Sequence, residues 1–75
     1  MIDDLKSRLE EAFTDAQVAV VGEGNRFEIR VVSAAFEGLN RVRRQQAVYA
    51  VIGDLIASGA IHAVTIHAGT LDENP

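Results

Sequence analysis

Residues 26–32 alternate up to Val31, with Phe27, Ile29 and Val31 apolar and Arg26, Glu28 and Arg30 charged. Successive side chains of a strand point to opposite faces, so this pattern requires a sheet with one dry face and one wet face. A sheet buried on both sides is excluded, and other elements must cover Phe27, Ile29 and Val31. Residues 17–21 are mostly apolar and branched, and Gly22-Glu23-Gly24-Asn25 is rich in turn formers, so the two segments form a β-hairpin.

Helices supply the cover. Ile2, Leu5, Leu9, Ala12 and Phe13 recur at spacings of three and four, with Asp4, Lys6, Arg8, Glu10 and Glu11 between them, which predicts an amphipathic helix over residues 2–13. Asp3 and Asp4 suit the positive end of its dipole, and Thr14-Asp15 breaks it. Ser33 can cap a short helical turn through Phe36 that ends at Gly38. A long helix then begins near Asn40, carries the stripe Val48, Val51, Ile52, Leu55 and Ile56, and stops at Ser58-Gly59.

Residues 61–68 are dense in branched side chains and read as a third strand. Val64 and Ile66 fall on one face, with Ile61, Ala63 and Thr65 on the other; His62, opening the strand, shares the Val64 face and His67 does not. The order is α-β-β-α-α-β. It predicts an α+β domain over residues 1–70, a small three-stranded sheet with helices packed on one face. Residues 71–75 are polar and acidic and are expected to form a disordered tail.

With 75 residues the chain has room for one such domain, which can bury roughly 60% of the surface exposed on unfolding. Apolar residues at 48% and charged residues at 24% are ordinary globular usage and exclude the disordered classes. A net charge of -4 disfavours general attraction to nucleic acid or an anionic membrane. No apolar run approaches the roughly 20 residues of a membrane span, and the acidic start Met1-Ile2-Asp3-Asp4 is unlike a signal peptide. A cytoplasmic chain without a membrane partner, monomeric by itself, is expected. The absence of cysteine excludes disulfides, a thiol nucleophile and a thiolate metal site of the chain's own.

Few residues can carry chemistry. His62 and His67 have no nucleophile in a recognisable turn, and Asp3-Asp4, Glu10-Glu11 and Asp72-Glu73 belong to a solvated helix face or the tail. No catalytic residue is assigned, and the chain is not expected to be an enzyme. Gly22-Glu23-Gly24 leads into a strand, so it is a hairpin turn and not a phosphate loop. Arg41, Arg43 and Arg44 stand at the end of the long helix where the dipole disfavours cations. Either Glu37 or Glu28 pairs with them locally, or the cluster faces an anion or a partner. Histidine is the only soft nitrogen ligand present, so a transition-metal role must pass through His62 or His67.

Phe36-Glu37-Gly38, Arg41-Val42-Arg43-Arg44-Gln45-Gln46-Ala47-Val48-Tyr49 and Ala57-Ser58-Gly59-Ala60-Ile61-His62-Ala63-Val64-Thr65-Ile66 together resemble the BolA family, in particular its short IbaG-type members, over residues 2–70. The resemblance implies a class II KH-like fold and a non-enzymatic adaptor role in iron-sulfur homeostasis and stress response. It further implies a monothiol glutaredoxin partner, with a [2Fe-2S] cluster shared among the glutaredoxin, its glutathione and a BolA-type histidine. The matching position is His62, and Arg41, Arg43, Arg44 and Tyr49 would form the partner-binding patch. A chain without thiolates would contribute imidazole alone and leave the thiolates to its partner.

Two positions depart from that pattern. Where many members carry histidine or cysteine before the phenylalanine of the second strand, this chain has Arg26, whose guanidinium has no free lone pair for iron. The family's Arg-His pair at the helix start is Arg44-Gln45 here. The alternative expectation is a KH-like nucleic-acid-binding transcriptional regulator using Gly38, Asn40, Arg41, Arg43 and Arg44. The Gly-x-x-Gly loop of KH domains reads Gly38-Leu39-Asn40-Arg41 here, so the second glycine is missing. Three arginines in a chain of net charge -4 imply weak, strongly salt-dependent binding.

Overall fold

The alternating segment forms the middle of the sheet. In the computed structural model, which describes residues 2–73, β2 (Arg26–Val32) pairs antiparallel with β1 (Gln17–Glu23) and parallel with β3 (Ala63–Gly69). Helix α1 (Ile2–Ala12) precedes the hairpin; one 3-10 turn (Ala34–Phe36) and helix α2 (Arg41–Ala57) connect β2 to β3. This is an α+β fold: a three-stranded mixed sheet in the order β1-β2-β3, with two helices packed on one face.

The faces follow the alternation. Phe27, Ile29 and Val31 are buried against Leu5, Leu9 and Phe13 of the α1 region, Phe36, and Val48 and Ile52 of α2. Arg26, Glu28 and Arg30 lie on the opposite, exposed face. The Phe13 and Phe36 rings meet with centroids 4.9 Å apart, which seats the 3-10 turn on the end of α1. Ser33, only 2% exposed, joins three segments: its Oγ donates to the Thr14 carbonyl at 2.7 Å and accepts from the Ala35 amide at 3.1 Å, while its own amide donates to the Gly69 carbonyl at 3.0 Å. Every polar group of this buried serine therefore keeps a partner in place of water.

Both ends of α2 follow their sequence signals. Asn40 has extended backbone and its Oδ1 accepts from the Arg43 amide at 2.9 Å, a side-chain cap on an otherwise unpaired donor. At the other end Gly59 adopts φ +83°, which reverses the chain out of the helix.

Three details differ from expectation. The hairpin turn is two residues, Gly24-Asn25, because Gly22 and Glu23 pair with Phe27 and Arg26. The third strand begins at Ala63, not residue 61. Ile61 donates its amide to the Leu55 carbonyl at 3.1 Å and is 2% exposed, so it is core and not on the wet face with Ala63 and Thr65. His62 likewise precedes the strand and does not open it. Finally, residues 70–73 of the C-terminal segment form a turn in which the Glu73 amide donates to the Thr70 carbonyl at 3.1 Å. Of the tail expected over residues 71–75, residues 74 and 75 lie outside the described residues.

Candidate functional site

His62 sits where the chain leaving α2 passes the hairpin turn. Its backbone amide donates to the Asn25 carbonyl at 2.9 Å, and the Ala63 amide reaches the same oxygen at 3.3 Å. These bonds fix the backbone of His62 against the turn while its side chain stays exposed, with no side-chain partner among the described residues. Arg26 lies in register with Ala63, so the hairpin position without a ligand-capable side chain is next to the residue that follows His62. At the start of α1, next to the same hairpin, a cleft of about 400 Å³ is lined by Ile2, Asp3, Gly22, Gly24 and Phe27. Among the described residues no group of three or more His, Cys, Asp or Glu side chains is placed to hold a metal ion. The His62 end can thus offer one nitrogen donor, not a complete coordination sphere.

The arginines lie elsewhere. Arg44 is tied down: its Nε donates to the Leu39 carbonyl at 2.8 Å, and its two terminal nitrogens grip the Glu73 carboxylate, Nη1 to Oε1 and Nη2 to Oε2 at 3.0 Å. Glu73 Oε1 also accepts from the Thr70 amide at 3.1 Å. The Arg44 hydrogen bonds, followed by the Thr70 amide, pull the Glu73 carboxyl down to about 2. The carboxylate that pairs with the cluster, through Arg44, is therefore the distant Glu73 and not Glu37 or Glu28. Arg41 and Arg43 remain exposed. Gln45 sends its Nε2 to the Ile66 carbonyl of β3 at 2.8 Å, so the residue standing where the family has histidine braces the sheet. Glu28 instead lies 3.7 Å from His67 Nε2 on the wet face.

The Gln45–Ile66 bond places the start of α2 beside the second half of β3, whereas His62 lies just ahead of β3's first residue. The four residues from His62 to Ile66 span roughly 13 Å of extended chain, so the Arg41–Arg44 turn of α2 lies by the second half of β3, while His62 lies ahead of its first residue at the hairpin turn. The structure brings Gly38, Asn40, Arg41, Arg43 and Arg44 together but separates them from His62. Tyr49, 41% exposed, lies midway along α2. Two residues that sequence reasoning left out belong to these ends: Asn25, whose carbonyl holds His62, and Glu73, whose carboxylate holds Arg44. A residue without a reactive side-chain role gives no signal for the first, and the acidic tail composition concealed the second.

The sequence profile described as "BolA-like protein" matches residues 8–73. The chain belongs to the BolA family. Members are non-catalytic adaptors and regulators, and this BolA-family chain is not an enzyme. IbaG-type relatives are among its homologues: the acid stress protein IbaG of Escherichia coli K12 is 38% identical over 68 residues, covering 91% of this chain and 81% of that protein. A protein of Acinetobacter guillouiae from the rpoN-murA intergenic region is 51% identical over 71 residues, covering 95% and 86%. The BolA domain of SufE1 from Arabidopsis thaliana superposes with a TM-score of 0.86 at 28% identity, covering 95% of this chain and 92% of that one.

Proposed function

We propose that this BolA-family protein is an adaptor that docks its hairpin end on a monothiol glutaredoxin and lends the His62 imidazole to a [2Fe-2S] cluster carried by that partner and its glutathione. The observation that carries the reading is the exposed His62 side chain on a backbone fixed by the Asn25 carbonyl, in a chain that has no cysteine. Such a chain can complete a coordination sphere but cannot build one. The cluster, as cargo, supplies the iron and sulfide and the electron-transfer chemistry, and an imidazole in place of a thiolate raises its potential.

What the chain's own residues do follows from their chemistry. His62 binds iron only as neutral imidazole, so acid weakens the assembly by protonating the donor nitrogen. Arg26, adjacent in register, adds positive charge near the shared group without ligating it. The cleft lined by Ile2, Asp3, Gly22, Gly24 and Phe27 provides a mixed apolar and acidic contact beside the hairpin. An acid-stress role, as in the name of the Escherichia coli relative, accords with an acid-labile ligand.

Amide NMR mapping with a purified, cluster-loaded monothiol glutaredoxin tests the docking geometry. Signals of Gly24, Asn25, His62 and Ala63 shift or broaden, while those of Arg41 and Arg43 stay in place. Perturbation confined to the arginine end overturns it. The nucleic-acid reading has less support, because Glu73 already occupies the Arg44 fork and the second loop glycine is missing.

A further inference from the structure

We propose that the cleft between the start of α2 and β3 is a carboxylate-binding site for an acidic peptide segment, held in the resting chain by its own Glu73. The cleft has a volume of about 330 Å³, and Arg41, Arg44, Gln45, His67 and Glu73 are among its lining. It lies against the second half of β3 and shares no lining residue with the hairpin turn that holds His62, so it is independent of the glutaredoxin reading.

Arg44 is built to receive a carboxylate. The Leu39 carbonyl takes its Nε at 2.8 Å, which orients the guanidinium and leaves both terminal nitrogens facing the cleft. A planar fork of this kind matches the two oxygens of a carboxylate, and an oriented one loses less side-chain freedom on binding. Glu73 demonstrates the fit: both of its oxygens are engaged, and the Thr70 amide adds a further donor at 3.1 Å.

Little besides its carboxylate holds the resident. In the turn after β3, Leu71 is 69% exposed and Asp72 is exposed, so among the described residues no buried apolar side chain anchors the segment. Besides the carboxylate contacts, the bond from the Glu73 amide to the Thr70 carbonyl closes the turn. One carboxylate also leaves the cleft under-neutralised, since Arg41 lines it as well, with no ion-pair partner among the described residues. A peptide with two neighbouring carboxylates satisfies Arg44 and Arg41 together, an advantage that Glu73 alone lacks. The tethered Glu73 then acts as a competitor whose local concentration is in the millimolar range.

The test is an NMR titration of wild type and Glu73→Gln with a capped peptide carrying two adjacent glutamates, beside the same peptide with glutamines, inorganic phosphate and a single-stranded oligothymidylate. The Glu73→Gln chain binds the glutamate peptide about tenfold more tightly than wild type, because the competing carboxylate is gone. The shifts appear at Arg44 Nε, the Gln45 side-chain amide and His67. Arg44→Lys in the same background removes most of that gain. Thr70→Pro, which deletes the Thr70 amide and hydroxyl donors and keeps the carboxylate, gives an intermediate gain and guards against a folding defect in the first variant. Equal peptide affinity for wild type and Glu73→Gln, or equal binding of the glutamine peptide, overturns the proposal. Oligothymidylate or phosphate binding without peptide binding also overturns it.

Discussion

Replacing Gly22 by alanine adds one methyl group where the structure leaves no room. Gly22 is the cross-strand partner of Phe27, and a Cβ there would stand 2.5 Å from both Cδ1 and Cε1 of that ring. Carbon atoms rest about 3.5 to 4.0 Å apart, so the ring must move by roughly an ångström. Phe27 is 7% exposed and belongs to the core, so its movement disturbs packed neighbours. Overpacking of this kind costs about 1 to 3 kcal/mol, against about 0.4 to 1 kcal/mol gained by restricting the unfolded chain. Gly53→Ala is the matched control. It lies inside α2, nothing stands within 4 Å of its added Cβ, and helix propensity favours the alanine by about 0.8 to 1 kcal/mol.

One chemical change thus has opposite signs at two sites. In a domain of this size each kcal/mol moves Tm by about 4 to 8 °C. Net of the unfolded-state gain, Gly22→Ala loses up to about 2.6 kcal/mol and lowers Tm by up to about 20 °C, whereas Gly53→Ala raises it by about 3 to 8 °C. Urea unfolding followed by circular dichroism measures both, with the slope m unchanged in each variant. A Gly22→Ala protein as stable as wild type, or a destabilised Gly53→Ala protein, refutes this account of the hairpin packing. Because Phe27 follows Arg26, the Gly22 variant also shifts the His62 amide signal, which the Gly53 variant leaves unchanged.

Ser33→Ala strands the Thr14 carbonyl and the Ala35 amide and removes the cap of the 3-10 turn, so urea unfolding shows a loss of about 2 kcal/mol. Ile61→Ala costs about 2 to 5 kcal/mol in the same assay, while Thr65→Ala at an exposed position stays within about 0.5 kcal/mol; equal effects contradict the placement of Ile61 in the core. The Glu73 carboxyl falls from an ordinary 4.5 to about 2 on folding, so its stabilising contribution is fully present above pH 4.5 and is lost as pH falls toward 2. Carbon-13 titration of the Glu73 carboxyl gives a midpoint near the lower value in wild type and a higher one in Arg44→Ala, still held below the ordinary value by the Thr70 amide; an ordinary midpoint in wild type contradicts the Arg44–Glu73 contact.

The fold was legible where local signals and packing agree. The alternation of residues 26–32, the Asn40 and Ser33 caps and the stop at Gly59 each record a backbone requirement in the residue that meets it. The start of β3 was hidden because Ala60-Ile61-His62-Ala63 contains no breaker, and only the Ile61 amide bond to Leu55 shows that the chain is still leaving the helix there. Proximity along the chain also misled. The Arg41–Arg44 cluster and His62 belong to one continuous run, but the chain reverses at Gly59 and returns along α2, so contacts such as Gln45 to Ile66 decide which residues meet. Glu73 was read as solvated tail because its partner lies 29 residues away, beyond the reach of any local pattern.

The contribution of His62 to a shared cluster is tested most directly by anaerobic reconstitution of a [2Fe-2S] cluster on a monothiol glutaredoxin, with wild type, His62→Ala or His67→Ala present. The wild-type and His67→Ala mixtures give a visible and circular dichroism spectrum distinct from the glutaredoxin alone, and His62→Ala returns it to the glutaredoxin-only form. A wild-type spectrum identical to the glutaredoxin alone, or an altered spectrum that survives His62→Ala, contradicts the assignment of His62 as the ligand.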